Sequence, residues 1–142
     1  VMQPRRAGAI VNVSSIAAFQ PSPDSAIYSA TKAFVNSFTH AVHEEMRGSG
    51  VHVMLLCPGF THTEFHARAG LGPTALPELV WQSADEVVAA ALRDLDRGRA
   101  LSIPGPLNRV AAAFASVAPA GVSRRVARVV VRRVGRQETM PT

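Results

Sequence analysis

Apolar positions along this chain follow two periods in alternation. Residues 9–13, Ala-Ile-Val-Asn-Val, form a short β-branched run closed by the hydroxyls of Ser14 and Ser15, the pattern of a buried parallel strand whose carboxyl end opens onto a site. After the turn-rich Gln20-Pro-Ser-Pro-Asp24, the spacing of Ile27, Phe34, Phe38, Ala41 and Val42 becomes helical. Asp24 or Ser25 can cap that helix, which the sequence carries to about Arg47 before Gly48 and Gly50 stop it. Residues 51–57 are a second apolar run with an abrupt exit at Pro58-Gly59. From Phe60 to Gln82 no clean period survives, which predicts a long functional loop with large apolar residues at Phe60, Phe65, Leu71, Leu76, Leu79 and Trp81. Ser83-Ala-Asp-Glu86 is a capping box opening a helix through Val87, Val88, Ala91, Leu92 and Leu95, closed by Gly98. Residues 99–103 read as a third short strand. Beyond Pro104-Gly105-Pro106, two Ala- and Val-rich helical stretches are separated by Pro119-Ala-Gly121.

Strand, helix, strand, helix, strand predicts right-handed crossovers and a three-stranded parallel sheet with helices on its faces, whose ligand binds beyond the strand carboxyl ends. Ser15 and Pro58-Gly59 both fall at those ends. The organisation is therefore an α/β unit over residues 1–106 and a helical extension over 107–142.

Composition narrows the class further. With 142 residues and 47% hydrophobic content, the chain is one globular unit, and residues 110–122 are too short for the ~20-residue apolar stretch a membrane span requires. The first residues lack the apolar core of a secretory signal. Cys57, the single cysteine, has no internal disulfide partner, which fits a reducing, cytoplasmic setting. The net charge of +5 suggests a nucleic-acid partner only until it is divided. Residues 1–106 carry eight Lys/Arg against nine Asp/Glu, whereas 107–142 carry seven Arg and only Glu138. Arg124, Arg125, Arg128, Arg132, Arg133 and Arg136 interleave with Val122, Val126, Val129, Val130 and Val134 at helical spacing. This reads as a solvated basic helix, the alternative being one that lies on a membrane surface or an acidic partner. No aromatic or zinc-finger pattern supports nucleic-acid binding.

The candidate chemistry lies elsewhere. Tyr28 is the only tyrosine and Lys32 the only lysine, and their spacing of four places both on one helix face. An ammonium beside a phenol favours its ionised form, the condition for general acid or base work, and can donate several hydrogen bonds to sugar hydroxyls. Ser15, thirteen positions earlier, can hydrogen-bond a substrate oxygen, while Ser14 points the other way on a strand of period two. Gly59 permits close backbone approach to a flat ligand, and the hydroxyls of Thr61 and Thr63 offer hydrogen bonds.

Gly8-Ala-Ile-Val-Asn-Val-Ser-Ser15, Tyr28-Ser-Ala-Thr-Lys32 and Pro58-Gly59 with Thr63 together resemble the short-chain dehydrogenase/reductase family over about residues 8–105. The resemblance implies the C-terminal half of a doubly wound Rossmann-like sheet and hydride transfer between a nicotinamide and a small-molecule carbonyl or alcohol. It implies catalytic roles for Ser15, Tyr28 and Lys32, and cofactor contacts for Tyr28, Lys32, Pro58, Gly59, Phe60, Thr61 and Thr63. The family's Gly-rich phosphate-binding turn, its selector between NAD and NADP and its active-site asparagine all precede these motifs and have no match here, so either cofactor fits and the chain is expected to be a half-domain inactive alone. Such a half would expose its first strand edge and apolar helix faces. The full-length form is expected to be a homo-oligomer. The ending Leu101-Ser-Ile-Pro-Gly105 resembles the family branch with an extra helical C-terminus.

Other clusters read more plainly. His62 and His66 flank Glu64 without the order of a zinc helix, and no metal site is expected. His40 and His43 beside Glu44 and Glu45 read as a polar helix surface, and Cys57 as a small core residue. Phe60, Phe65, Leu71 and Trp81 suit either a substrate pocket or local packing.

Overall fold

The computed structural model describes residues 1–23, 25–64 and 77–118, together with 121, 122, 125, 126, 128 and 129. Three strands form a parallel sheet: β1 (Gly8–Val13), β2 (Val51–Leu56) and β5 (Leu101–Ser102), with β2 in the centre. β1 and β2 pair along their full lengths, Gly8 opposite Val51 and Val13 opposite Leu56, while β5 pairs only through Leu55–Leu101 and Leu56–Ser102. Because all three run the same way, their carboxyl ends share one edge, and Ser14–Leu56 and Cys57–Ser102 backbone bonds of 2.7 and 2.8 Å extend the ladder to it.

Helices cover the two faces unequally. α3 (Ala84–Asp96) lays Val87, Ala91 and Leu95 against Met54 and Leu56, the apolar core of the molecule. Burying a side chain of that size contributes about 2 kcal/mol, so this contact fixes α3 to the central strand. Its start is the capping box predicted from sequence: Ser83 Oγ accepts from the Glu86 backbone at 3.1 Å and the Glu86 carboxylate accepts from the Ser83 backbone at 2.8 Å. Gly98, at φ 69°, ends the segment as expected.

α2 (Ala26–Glu45) lies on the other face and is held by polar bonds; with the strands in the order β1-β2-β5, helices on opposite faces give the two crossovers opposite hands, so the expected right hand holds for only one of them. Asn12 Nδ2 donates to Thr39 Oγ1 at 3.0 Å, and Thr39 in turn donates to the Val35 carbonyl at 2.7 Å. The apolar stripe that the periodicity marks on α2 is instead outside: Ile27 is 86% exposed, Phe34 67% and Phe38 51%. Small Ser29 and Thr39 take the buried positions because they let the helix approach the strands closely. His43 also departs from the polar-surface reading, since its Nδ1 lies 2.7 Å from the Val53 carbonyl and so ties α2 to β2. Ser25 is the N-cap residue without a side-chain cap, and Asp24 lies outside the described residues.

The predicted loop after residue 59 is corrected at both ends. β3 (Phe60–His62) and β4 (Trp81–Ser83) pair in parallel as a second, two-stranded sheet, Phe60 opposite Trp81. Runs of three residues are too short to show a period, so only the pairing reveals them. Phe65, His66, Leu71 and Leu76 lie outside the described residues. Three further elements had no sequence signal, the short α1 (Met2–Arg5) and 3-10 turns over Ile16–Phe19 and Glu78–Val80. After β5, α4 (Pro106–Val117) begins with proline in its first turn, as its fixed φ allows. The described tail residues Val122, Val126 and Val129 are exposed, while Arg124, Arg132, Arg133 and Arg136 are outside the described set.

Candidate active site

The carboxyl edge of the sheet gathers the residues that the sequence marked. Leaving β1, Ser14 turns towards α2 and donates from Oγ to the Lys32 carbonyl at 3.0 Å. This bond pins the middle of α2 to the strand end and is the fulcrum for everything α2 carries. Sequence alternation sends Ser14 away from the ligand side but does not reveal what it would hold. Lys32 answers it, its Nζ donating to the Val13 carbonyl at 3.0 Å. One strand end therefore grips the same helical turn through both a carbonyl and a hydroxyl.

Tyr28 stands one turn earlier on α2, with Lys32 Nζ 5.7 Å from the ring centroid. The expected shared face is thus realised. Ser15 follows Ser14 and opens the 3-10 turn, where its Oγ accepts from the Ala17 backbone at 3.1 Å. Accepting that bond orients the hydroxyl and leaves its own proton to donate.

From β2, Pro58 and Gly59 arrive beside this group. The Pro58 carbonyl accepts from the Ile16 backbone at 3.0 Å, which ties the turn to the segment just after Ser15. Thr61 Oγ1 donates to the Gly59 carbonyl at 3.1 Å, so the threonine first braces the turn and offers only its lone pairs outward. Phe60 and Trp81 rings meet at 5.5 Å, and His62 stacks on Trp81 at 4.7 Å while pairing with Glu78 at 2.8 Å. Thr63 is exposed just beyond β3.

Beneath the site lies Cys57, fully buried, with Sγ donating to Asn36 Oδ1 at 3.6 Å. Burial pushes its thiol up from 9.0 to about 11, against smaller opposing effects of the Ser14 side chain, the Ser15 backbone and the Lys32 charge. It is a core residue, as expected. Sequence reading missed Asn108 and Gln82. Asn108, buried on α4, packs its carboxamide on Gly59 and donates from Nδ2 to Gln82 Oε1 and to the Pro104 carbonyl, each at 2.8 Å. No spacing links residues 59, 82 and 108, so no one-dimensional signal could have found them. Among the described residues, no group of three His, Cys, Asp or Glu could hold a metal, and no helix is long and apolar enough to cross a membrane.

Comparison with known proteins places this geometry. A profile described as short chain dehydrogenase matches residues 1–72. Very-long-chain 3-oxoacyl-CoA reductase of Rattus norvegicus is 36% identical over 92 residues, 65% of this chain and 28% of its own length. Among solved structures, a short-chain dehydrogenase from Sphingobium yanoikuyae in complex with NADPH aligns with a TM-score of 0.70 and 34% identity, covering 99% of this chain and 52% of that one. A second, from Burkholderia cenocepacia in complex with NADP, aligns at 0.70 and 27% identity over 87% of this chain and 50% of its own. The chain thus spans about half the length of these structures and less of the curated relative.

Proposed function

Because the chain belongs to the short-chain dehydrogenase family, we propose that it carries the catalytic half of a nicotinamide-dependent oxidoreductase that interconverts a small-molecule carbonyl and its alcohol. The observation that carries this reading is the grip of β1 on the Tyr28–Lys32 turn, which sets an ammonium 5.7 Å from a phenol ring at the open edge of a parallel sheet.

Each residue has a task that its surroundings allow. Tyr28 delivers a proton to the substrate oxygen in reduction and removes it in oxidation. The Ser15 hydroxyl, oriented by Ala17, donates to the same oxygen and stabilises charge developing there. Lys32 stabilises the negative charge left on the phenol, and its remaining N–H donors suit ribose hydroxyls. The turn residues Pro58 and Gly59, followed by Phe60, Thr61 and Thr63, form the wall for a flat ring. NAD or NADP, when bound, supplies or takes the hydride. The proposal extends to the polypeptide of 142 residues: on its own it lacks the Gly-rich turn that cradles the dinucleotide phosphates and is inactive.

The test is Tyr28→Phe in the full gene product, assayed with NADH and NADPH against a panel of ketones and aldehydes. Removing a general acid lowers kcat by about 10²- to 10⁴-fold. Turnover equal to the parent's would remove Tyr28 from the mechanism, and robust turnover by the 142-residue polypeptide would overturn its inactivity.

A further inference from the structure

We propose that Asn108 is a positioning residue for the cofactor wall, acting through Gly59 and Gln82; this deepens the reading above and rests on it. The glycine of Pro58-Gly59 does not owe its identity to backbone conformation. Gly8, Gly48, Gly50, Gly98 and Gly105 have positive φ among the described glycines, and Gly59 does not. What forbids a side chain at 59 is space, since a Cβ there would overlap the Asn108 carboxamide. Gly105, at φ 84°, faces the same pair: a Cβ on it would stand 3.0 Å from Gln82 Nε2 and 3.3 Å from Asn108 Nδ2. Two glycines from two strand exits thus close on one pair of carboxamides.

The pair is built into the fold. Asn108 is 7% exposed, and both N–H donors of Nδ2 are spent, one on the fully buried Pro104 and one on Gln82 of β4. Gln82 lies on the strand that pairs with β3, the continuation of the Pro58-Gly59 turn. The turn's own carbonyls are already taken by Ile16 and Thr61. Asn108 therefore sets the turn's depth by contact, while Ile16 holds it from the side of Ser15. Loss of the carboxamide lets Gly59 settle away from Ser15 and Lys32, and the cofactor wall moves with it.

The test measures NADPH and NADH dissociation constants of the full gene product by nicotinamide fluorescence, with thermal unfolding alongside. Asn108→Asp keeps the shape but sets a carboxylate without donors against two oxygen acceptors; Asn108→Ala removes the contact. Each is expected to weaken cofactor binding about 10-fold, corresponding to about 1.4 kcal/mol. Gly59→Ala weakens it at least as much in the parent, but by less than about twofold in the Asn108→Ala background, where the overlap is gone. Dissociation constants within twofold of the parent for both Asn108 variants overturn the proposal, as does an equal effect of Gly59→Ala in the two backgrounds. If Asn108→Ala does not fold, Gln82→Ala, which removes one partner of the same carboxamide, is read by the same criterion. If the parent binds neither nucleotide, the functional reading fails instead, and the unfolding cycle of Gly59→Ala with Asn108→Ala alone decides whether the contact exists.

Discussion

A single buried thiol shows how the site's surroundings constrain it. Cys57 has no water to solvate a thiolate, so its ionisation is deferred from 9.0 to about 11. An acid whose folded value is raised binds its proton more tightly in the folded state. The associated stability is complete below pH 9.0 and is lost as pH rises towards about 11. Urea midpoints measured at pH 8 and pH 10.5 should fall less for Cys57→Ala than for the parent, and equal falls would refute the assignment. In the folded protein at pH 8 the same thiol should resist Ellman's reagent and react only on unfolding. At this scale the placement was legible: Ser15, Tyr28, Lys32 and Gly59 stand at the sheet's carboxyl edge because strand ends and helix faces have fixed periods. The Asn108–Gly59 contact was not, because it joins residues 49 positions apart through shape alone.

Elements succeed or fail by how local their determinants are. The capping box of α3 is written in four consecutive residues and forms as written. Ser83→Ala removes the acceptor for the Glu86 backbone and should lower stability by about 1 kcal/mol in a chemical denaturation curve. The Ser83 backbone N–H first, and the Ser83 hydroxyl second, hold the Glu86 carboxyl below its ordinary range by donating to it. With a depressed folded value the sign is reversed relative to Cys57. Stability from Glu86 is present above its ordinary value and is lost as pH falls through the folded one, so Glu86→Gln should flatten the acid limb of a melting-temperature profile. β3 and β4 were invisible by contrast, since three-residue strands take their identity from the partner across the ladder.

Across the whole molecule, apolar surface is distributed unevenly. β2 is buried on both faces, whereas β1 exposes Ile10, Val11 and Val13 and pairs only with β2 among the described residues. On α2, Phe34 and Phe38 stack at 6.0 Å with both rings largely in solvent. Such a patch drives association. The 142-residue polypeptide should therefore self-associate in sedimentation velocity at micromolar concentration, and Phe34→Asp with Phe38→Asp should reduce it; a monomer with parent phenylalanines would contradict this. Here lies the division between what the chain's order determines and what folding decides. The types of β1, β2, β5, α2, α3 and α4, the parallel alternation, the α3 cap and the Tyr28–Lys32 face follow from periods and caps acting within a few residues. Which side of α2 meets the sheet, which hydroxyl holds the helix, how β3 finds β4 and why Gly59 must be a glycine depend on surfaces brought together from distant positions. Periodicity marks an apolar stripe on α2 but carries no information about its cover, and only close approach of the backbone made Ser29 and Thr39, not Phe34 and Phe38, the buried face.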